Sequence, residues 1–65
     1  MRMKGQIKSF SPKHGYGFIS ADDGKEYFFH ILQWKGTNHP EIGTWVLFST
    51  IETRKGIRAK NVRRI

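Results

Sequence analysis

Apolar and polar residues alternate along this chain in short runs, and glycine, proline, aspartate and asparagine cut the runs apart. A period of two marks half-buried strands, whereas the i, i+3, i+4, i+7 spacing of a long amphipathic helix appears in no window. The pattern predicts strands over 3–10, 16–20, 26–30, 44–51 and 57–63. Ser11-Pro12-Lys13-His14-Gly15 makes a turn, and its proline cannot donate to a ladder. Asp22-Asp23-Gly24 closes a hairpin, because Asp-Gly supplies the positive φ that such turns need. Residues 31–42 form a longer loop broken by Gly36, Asn38 and Pro40, with room for one helical turn near 32–34. Five short strands without a covering helical layer bury one apolar face by curling the sheet into a small closed or partly open barrel.

Alternation also assigns faces. On the second strand Tyr16 and Phe18 share one face, and Gly17 and Ile19 the other. On the third, Phe28 and His30 oppose Tyr27, Phe29 and Ile31. Taking Ile7, Ile19 and Phe29 as core turns Tyr16, Phe18, Phe28 and His30 outward together. A one-residue slip would exchange the two faces. Large exposed aromatics in a group mark a surface that a ligand uses. Gly15 and Gly17 are expected to leave gaps beside the rings for a planar base. Trp45 and Leu47 share a face opposite Val46 and Phe48; they form either a patch for a partner or the cover of a barrel end.

Charge narrows the ligand. The 65 residues carry a net charge of +7. Arg2, Lys4, Lys8 and Lys13 precede any acid, and Arg54, Lys55, Arg58, Lys60, Arg63 and Arg64 follow the last one, Glu52. Such a balance favours a polyanion, nucleic acid foremost. A membrane surface is the weaker reading, because no amphipathic helix accompanies the charge. Residues 1–65 are expected to form a single domain, soluble and cytosolic, with neither a signal peptide nor an apolar run of spanning length. Cysteine is absent, so the core must hold without disulfides.

Enzymatic chemistry finds no footing. Gly15-x-Gly17 lacks a third glycine and a following helix for a pyrophosphate. His14, His30 and His39 have no ligand spacing, so no metal or other cofactor is expected. Asp22 and Asp23 are turn formers rather than an acid–base pair. No small-molecule substrate is expected.

His14-Gly15-Tyr16-Gly17-Phe18-Ile19 resembles the first ribonucleoprotein motif, and Tyr27-Phe28-Phe29-His30-Ile31 the second. In RNA-recognition-motif domains the second precedes the first, and two helices are required. The order here resembles the cold-shock domain family, and the resemblance extends over almost the whole chain. Lys4-Gly5-Gln6-Ile7-Lys8 resembles its opening strand and Asp23-Gly24 its hairpin turn. Gly43, Val46 and Phe48 resemble its fourth strand, and Gly56, Ala59, Asn61 and Val62 its closing strand. The resemblance implies an all-β, five-stranded antiparallel OB-type β-barrel that binds single-stranded RNA or DNA, often as an RNA chaperone or a regulator of gene expression. It implies a binding surface of Lys8, Phe10, Lys13, Tyr16, Phe18, Phe28 and His30. To these we add His14, Trp34 and the basic C-terminal residues Arg58 and Lys60. The chain departs from the family's pattern at Ser9, where a tryptophan is usual, at His14, usually lysine, and at Ile31, commonly aromatic. The reading that competes with it is a protein-interaction or targeting module, self-associating or fused to a larger protein, with Trp45 and Leu47 in the contact.

Overall fold

The computed structural model describes residues 2–65. Five strands follow one another: β1 (Arg2–Ser11), β2 (Tyr16–Ala21), β3 (Glu26–His30), β4 (Trp45–Thr53) and β5 (Gly56–Arg64). A single 3-10 turn, Ile31–Gln33, follows β3. The strands close a barrel in the order β1-β2-β3-β5-β4, with β4 returning to β1. The predicted strands are all present; β3 has the predicted ends, and no end of the others is displaced by more than two residues. No helix among the described residues is long and apolar enough to cross a membrane.

The sheet is mixed rather than purely antiparallel. The β1–β2, β2–β3, β1–β4 and β4–β5 pairs are antiparallel, but β3 meets β5 in parallel, with Phe28 opposite Arg58. The reason is topological. Successive strands linked by tight turns must run antiparallel, whereas β3 and β5 are joined through the 31–44 segment and all of β4, long enough for a parallel pairing. The pairing resumes after the 3-10 turn, where Trp34 bridges Val62 in parallel and the Lys35 N–H donates to the Val62 carbonyl.

Ile7, Ile19 and Phe29, read as core by alternation, lie inside the barrel. Ile7, Ile19, Phe29, Val46, Phe48, Ala59 and Val62 are almost wholly buried, with Ala21 and Tyr27 beside them. Gly17 belongs to this interior. A Cβ there would lie 2.3 Å from the Ser9 carbonyl oxygen and 3.0 Å from the Phe29 ring. The expected gap beside the rings at Gly17 is therefore absent; the missing side chain lets β1 and Phe29 close in instead.

Two bulges reverse the alternation. Ile7 pairs with Ile19 but Ser9 with Phe18, so Lys8 is an extra residue on β1. Strict alternation from Ile7 would turn Phe10 outward. The bulge turns it inward instead, opposite Gly17 and stacked on Phe29 at 6.0 Å. On β5, Leu47 pairs with Arg63 and Ser49 with Lys60, leaving one residue too many on β5. Asn61 takes up the excess at φ 51°, and its N–H donates to Gln33 Oε1 at 3.2 Å. Val62 thereby faces the core while Arg63 faces out.

Candidate nucleic-acid interface

The outer wall of β2, β3 and β5 gathers most of the candidate residues. The paired strands align their outward side chains in lateral rows. One row runs Ser9, Phe18, Phe28, Arg58 and Ile51; the next holds Ser11, Tyr16 and His30. The rings touch in series. His14 lies 5.7 Å from Tyr16, Tyr16 5.3 Å from Phe28, and Phe28 5.8 Å from Phe18 in an edge-on contact. Tyr16 and Phe18 are each 37% exposed and Phe28 is half-buried between them and Arg58, which leaves ring area open, whereas Tyr27 and Phe29 of β3 are core.

Backbone geometry fixes the two histidines. Ser11 Oγ lies 2.8 Å from His14 Nδ1, and the Ser11 carbonyl accepts from the His14 and Gly15 N–H groups. His30 caps the 3-10 turn, its Nδ1 accepting from the Leu32 N–H at 3.1 Å. With Nδ1 used as an acceptor, the neutral ring carries its hydrogen on Nε2, on the side of Gly15.

The cations fall into three situations. Arg58 lies over Phe28, its guanidinium carbon 4.5 Å from the ring centroid, so the row continues from a hydrocarbon face to a charged one. Lys13 is exposed in the β1–β2 turn. Lys8 is engaged: its ammonium pairs with the Glu26 carboxylate across the outer wall. Lys60 faces outward on β5 one row beyond Arg58, opposite Ser49.

Two of the predicted site residues lie apart from the rings. Phe10 is half-buried on the inner side, at the mouth of the barrel. Trp34 packs against the core four residues further along β5 than Arg58, and its indole N–H donates to the Asn38 carbonyl. It borders an open groove of about 720 Å³ lined also by Ile31, Asn38, His39 and Glu41. Ile51, 44% exposed at the end of the Phe28–Arg58 row, is an addition. Its alternation with Trp45 and Leu47 was visible in the sequence, but its neighbours were not.

The β2–β3 hairpin that carries the rings is locked at its tip. Gly24, at φ 82°, closes the turn. The Asp23 carboxylate accepts from the Lys25 N–H at 2.8 Å and from the Tyr27 hydroxyl at 2.6 Å. The Tyr27 hydroxyl, then the Lys25 N–H, hold the Asp23 carboxyl below its ordinary value, and the same bond pushes the Tyr27 phenol up. Among the described residues no three His, Asp or Glu side chains group as a metal site would require.

A closed five-stranded barrel of this topology, with an aromatic and basic outer wall, belongs to the OB-type class of nucleic-acid-binding folds. The model of the 'Cold-shock' DNA-binding domain matches residues 3–65. The chain belongs to the cold-shock domain family. It is 41% identical to a cold shock-like protein of Aquifex aeolicus, over 97% of this chain and 94% of that one. It is 36% identical to a cold shock-like protein of Thermotoga maritima, over 94% and 96%. Among solved structures, drosophila Unr CSD456 superposes with a TM-score of 0.86 at 24% identity. That likeness covers all of this chain and 27% of the larger one, and it concerns the fold.

Proposed function

We propose that this domain binds single-stranded nucleic acid in a sequence-tolerant way and holds weakly structured RNA open. The observation that carries the reading is the unbroken outward series His14, Tyr16, Phe28 and Phe18, flanked by Arg58. Every base has a π-face, so stacking on such a series accepts any sequence and contributes about 1–3 kcal/mol per base. Unpaired bases alone can reach the rings. Binding therefore favours the open strand over the duplex, which is how an RNA chaperone works without an energy source.

Each ring has a neighbour suited to a phosphate or a base edge. Lys13 stands free at the turn beside Tyr16, the His30 Nε2–H is an available donor, and Arg58 is shared between ring and phosphate. Phe10 supports Phe29 from within and so keeps β2 in place. Lys8 reaches a phosphate only by leaving Glu26.

Titration of a pyrimidine oligonucleotide of about seven nucleotides, a length within the site sizes of such barrels, tests the reading. Saturable binding with amide shifts centred on Tyr16, Phe18, Phe28 and His30 is expected. The Lys13→Ala variant should show a log K against log salt slope shallower by about 0.7. A fluorescently labelled RNA hairpin should open on addition of the protein. Absence of both binding and hairpin opening would contradict the proposal.

A further inference from the structure

The wall opposite the rings, formed by β1, β4 and the second half of β5, has a character that the ring surface does not explain. Its outward residues also lie in rows: Arg2, Ser49 and Lys60; then Lys4, Leu47 and Arg63; then Gln6 and Trp45. Trp45 is half exposed, and the Lys4 ammonium lies 5.3 Å from its ring centroid. Between Arg2 and Arg63 is a hollow of about 310 Å³, lined also by Leu47, Ser49 and Asn61. The four cations in these rows are unpaired, because Lys8–Glu26 is the one ion pair among the described residues. The acids bordering β1 on this side are Asp22 and Glu26. Asp22 is exposed opposite Lys4, its N–H donating to the Lys4 carbonyl at 2.9 Å, but it is in no ion pair among the described residues. Glu26 ends the Gln6 row two strands beyond β1 and is already engaged by Lys8.

β5 joins this wall to the rings. Arg58 lies on Phe28, Lys60 sits one row further, and the Asn61 bulge keeps Arg63 outward beyond it. The three cations form a rail along one strand, from Phe28 to the row beside Trp45. We propose that the Trp45 wall is a second contact for the same single strand, which leaves the rings along Arg58 and Lys60. A phosphate then seats between Arg2 and Arg63, and a base stacks on Trp45. Charge selects this occupant. A protein surface docking on Trp45 and Leu47 would bury four unpaired cations, whereas a phosphodiester chain neutralises them and releases counterions. The proposal rests on the reading of the rings as a single-strand platform.

The test compares two pyrimidine oligonucleotides, one of about six nucleotides, filling the rings, and one of about twelve. Trp45→Ala should weaken the longer by at least about fivefold, the equivalent of one lost stacking contact, and leave the shorter unchanged. The Trp45 indole N–H resonance, assigned by its loss in that variant, should shift with the longer strand only. The double variant Lys4→Gln with Arg63→Gln leaves the indole in place. It should flatten the salt dependence for the longer strand alone.

Equal effects of Trp45→Ala on both lengths, or no effect on either, overturn the proposal. Two short strands bound per protein, or self-association lost in Trp45→Ala, overturn it in favour of a second strand or a second copy. If the short strand fails to bind, or binds equally well after Phe18→Ala, the platform reading falls and this proposal falls with it. A short strand that binds through Phe18 while Trp45 stays silent removes this proposal alone.

Discussion

Phe28 and Arg58 face each other across the one parallel strand pair of the barrel, the guanidinium 4.5 Å from the ring centroid. This contact joins the aromatic series of β2 and β3 to the basic strand β5. It exists only because β3 and β5 are neighbours in the closed sheet, so closure of the fold and composition of the surface are one event. A planar guanidinium stacks on a ring and still directs donors to a phosphate, whereas an ammonium is a point charge.

Arg58→Lys should therefore weaken oligonucleotide binding although the net charge is kept. The loss expected is about 0.5–1 kcal/mol, the worth of an exposed cation–π contact. Isothermal titration of wild type, Arg58→Lys and Arg58→Ala at one salt concentration measures it. Equal affinities for wild type and Arg58→Lys would show that Arg58 acts through charge alone.

Ser9 ends the row that Phe18 and Phe28 begin, at a position where the family usually has tryptophan. Its outward direction follows from the bulge at Lys8. Ser9→Trp should add a ring beside Phe18 and strengthen binding by about 1–3 kcal/mol. The same titration reads the gain, and unchanged affinity in a folded variant would mean that the row ends functionally at Phe18.

Glu26 pairs with the Lys8 ammonium, which on the proposed reading keeps Lys8 from a phosphate. Glu26→Gln should release Lys8 and raise affinity by up to about 1 kcal/mol, the upper range for an exposed pair. The gain should shrink as salt rises. An affinity that falls in Glu26→Gln would assign Lys8 a purely structural part.

The hairpin tip responds to pH at both ends of the scale. Asp23 is held below its ordinary value of 3.8, so its bonds stabilise the fold above that value and are lost as pH falls through the lower, folded one. The Tyr27 phenol is pushed above 10.0, so its contribution is present below that value and disappears as pH rises through the folded one. Tyr27→Phe keeps the ring in the core and removes the hydroxyl. Melting temperatures of wild type and Tyr27→Phe should differ at neutral pH and converge towards both extremes. Parallel curves from pH 3 to 11 would contradict the linkage.

Alternation alone brought Tyr16, Phe18, Phe28 and His30 to one face and Ile7, Ile19 and Phe29 to the other, because β2 and β3 carry no bulge and share a tight turn. Their register follows from two neighbouring runs of residues. What alternation could not reach depends on distant pairing. The seat of Arg58 on Phe28 requires the parallel closure of β3 on β5. The inward turn of Phe10 requires the bulge at Lys8, and nothing local in Ile7-Lys8-Ser9 announces it. Asn61 was visible as a matching residue of the closing strand, but its left-handed backbone and its partner Gln33 belong to different parts of the chain. Gly17 reads locally as an open gap. It is filled because Phe29 and the Ser9 carbonyl approach from two other strands.

Replacement of Phe18 tests the central claim most directly. Phe18 is 37% exposed and lies outside the core cluster, so Phe18→Ala should leave the fold and melting profile close to those of the wild type. Binding of a short pyrimidine oligonucleotide should nonetheless weaken by about 1–3 kcal/mol. Wild-type affinity in a folded Phe18→Ala protein would contradict the account.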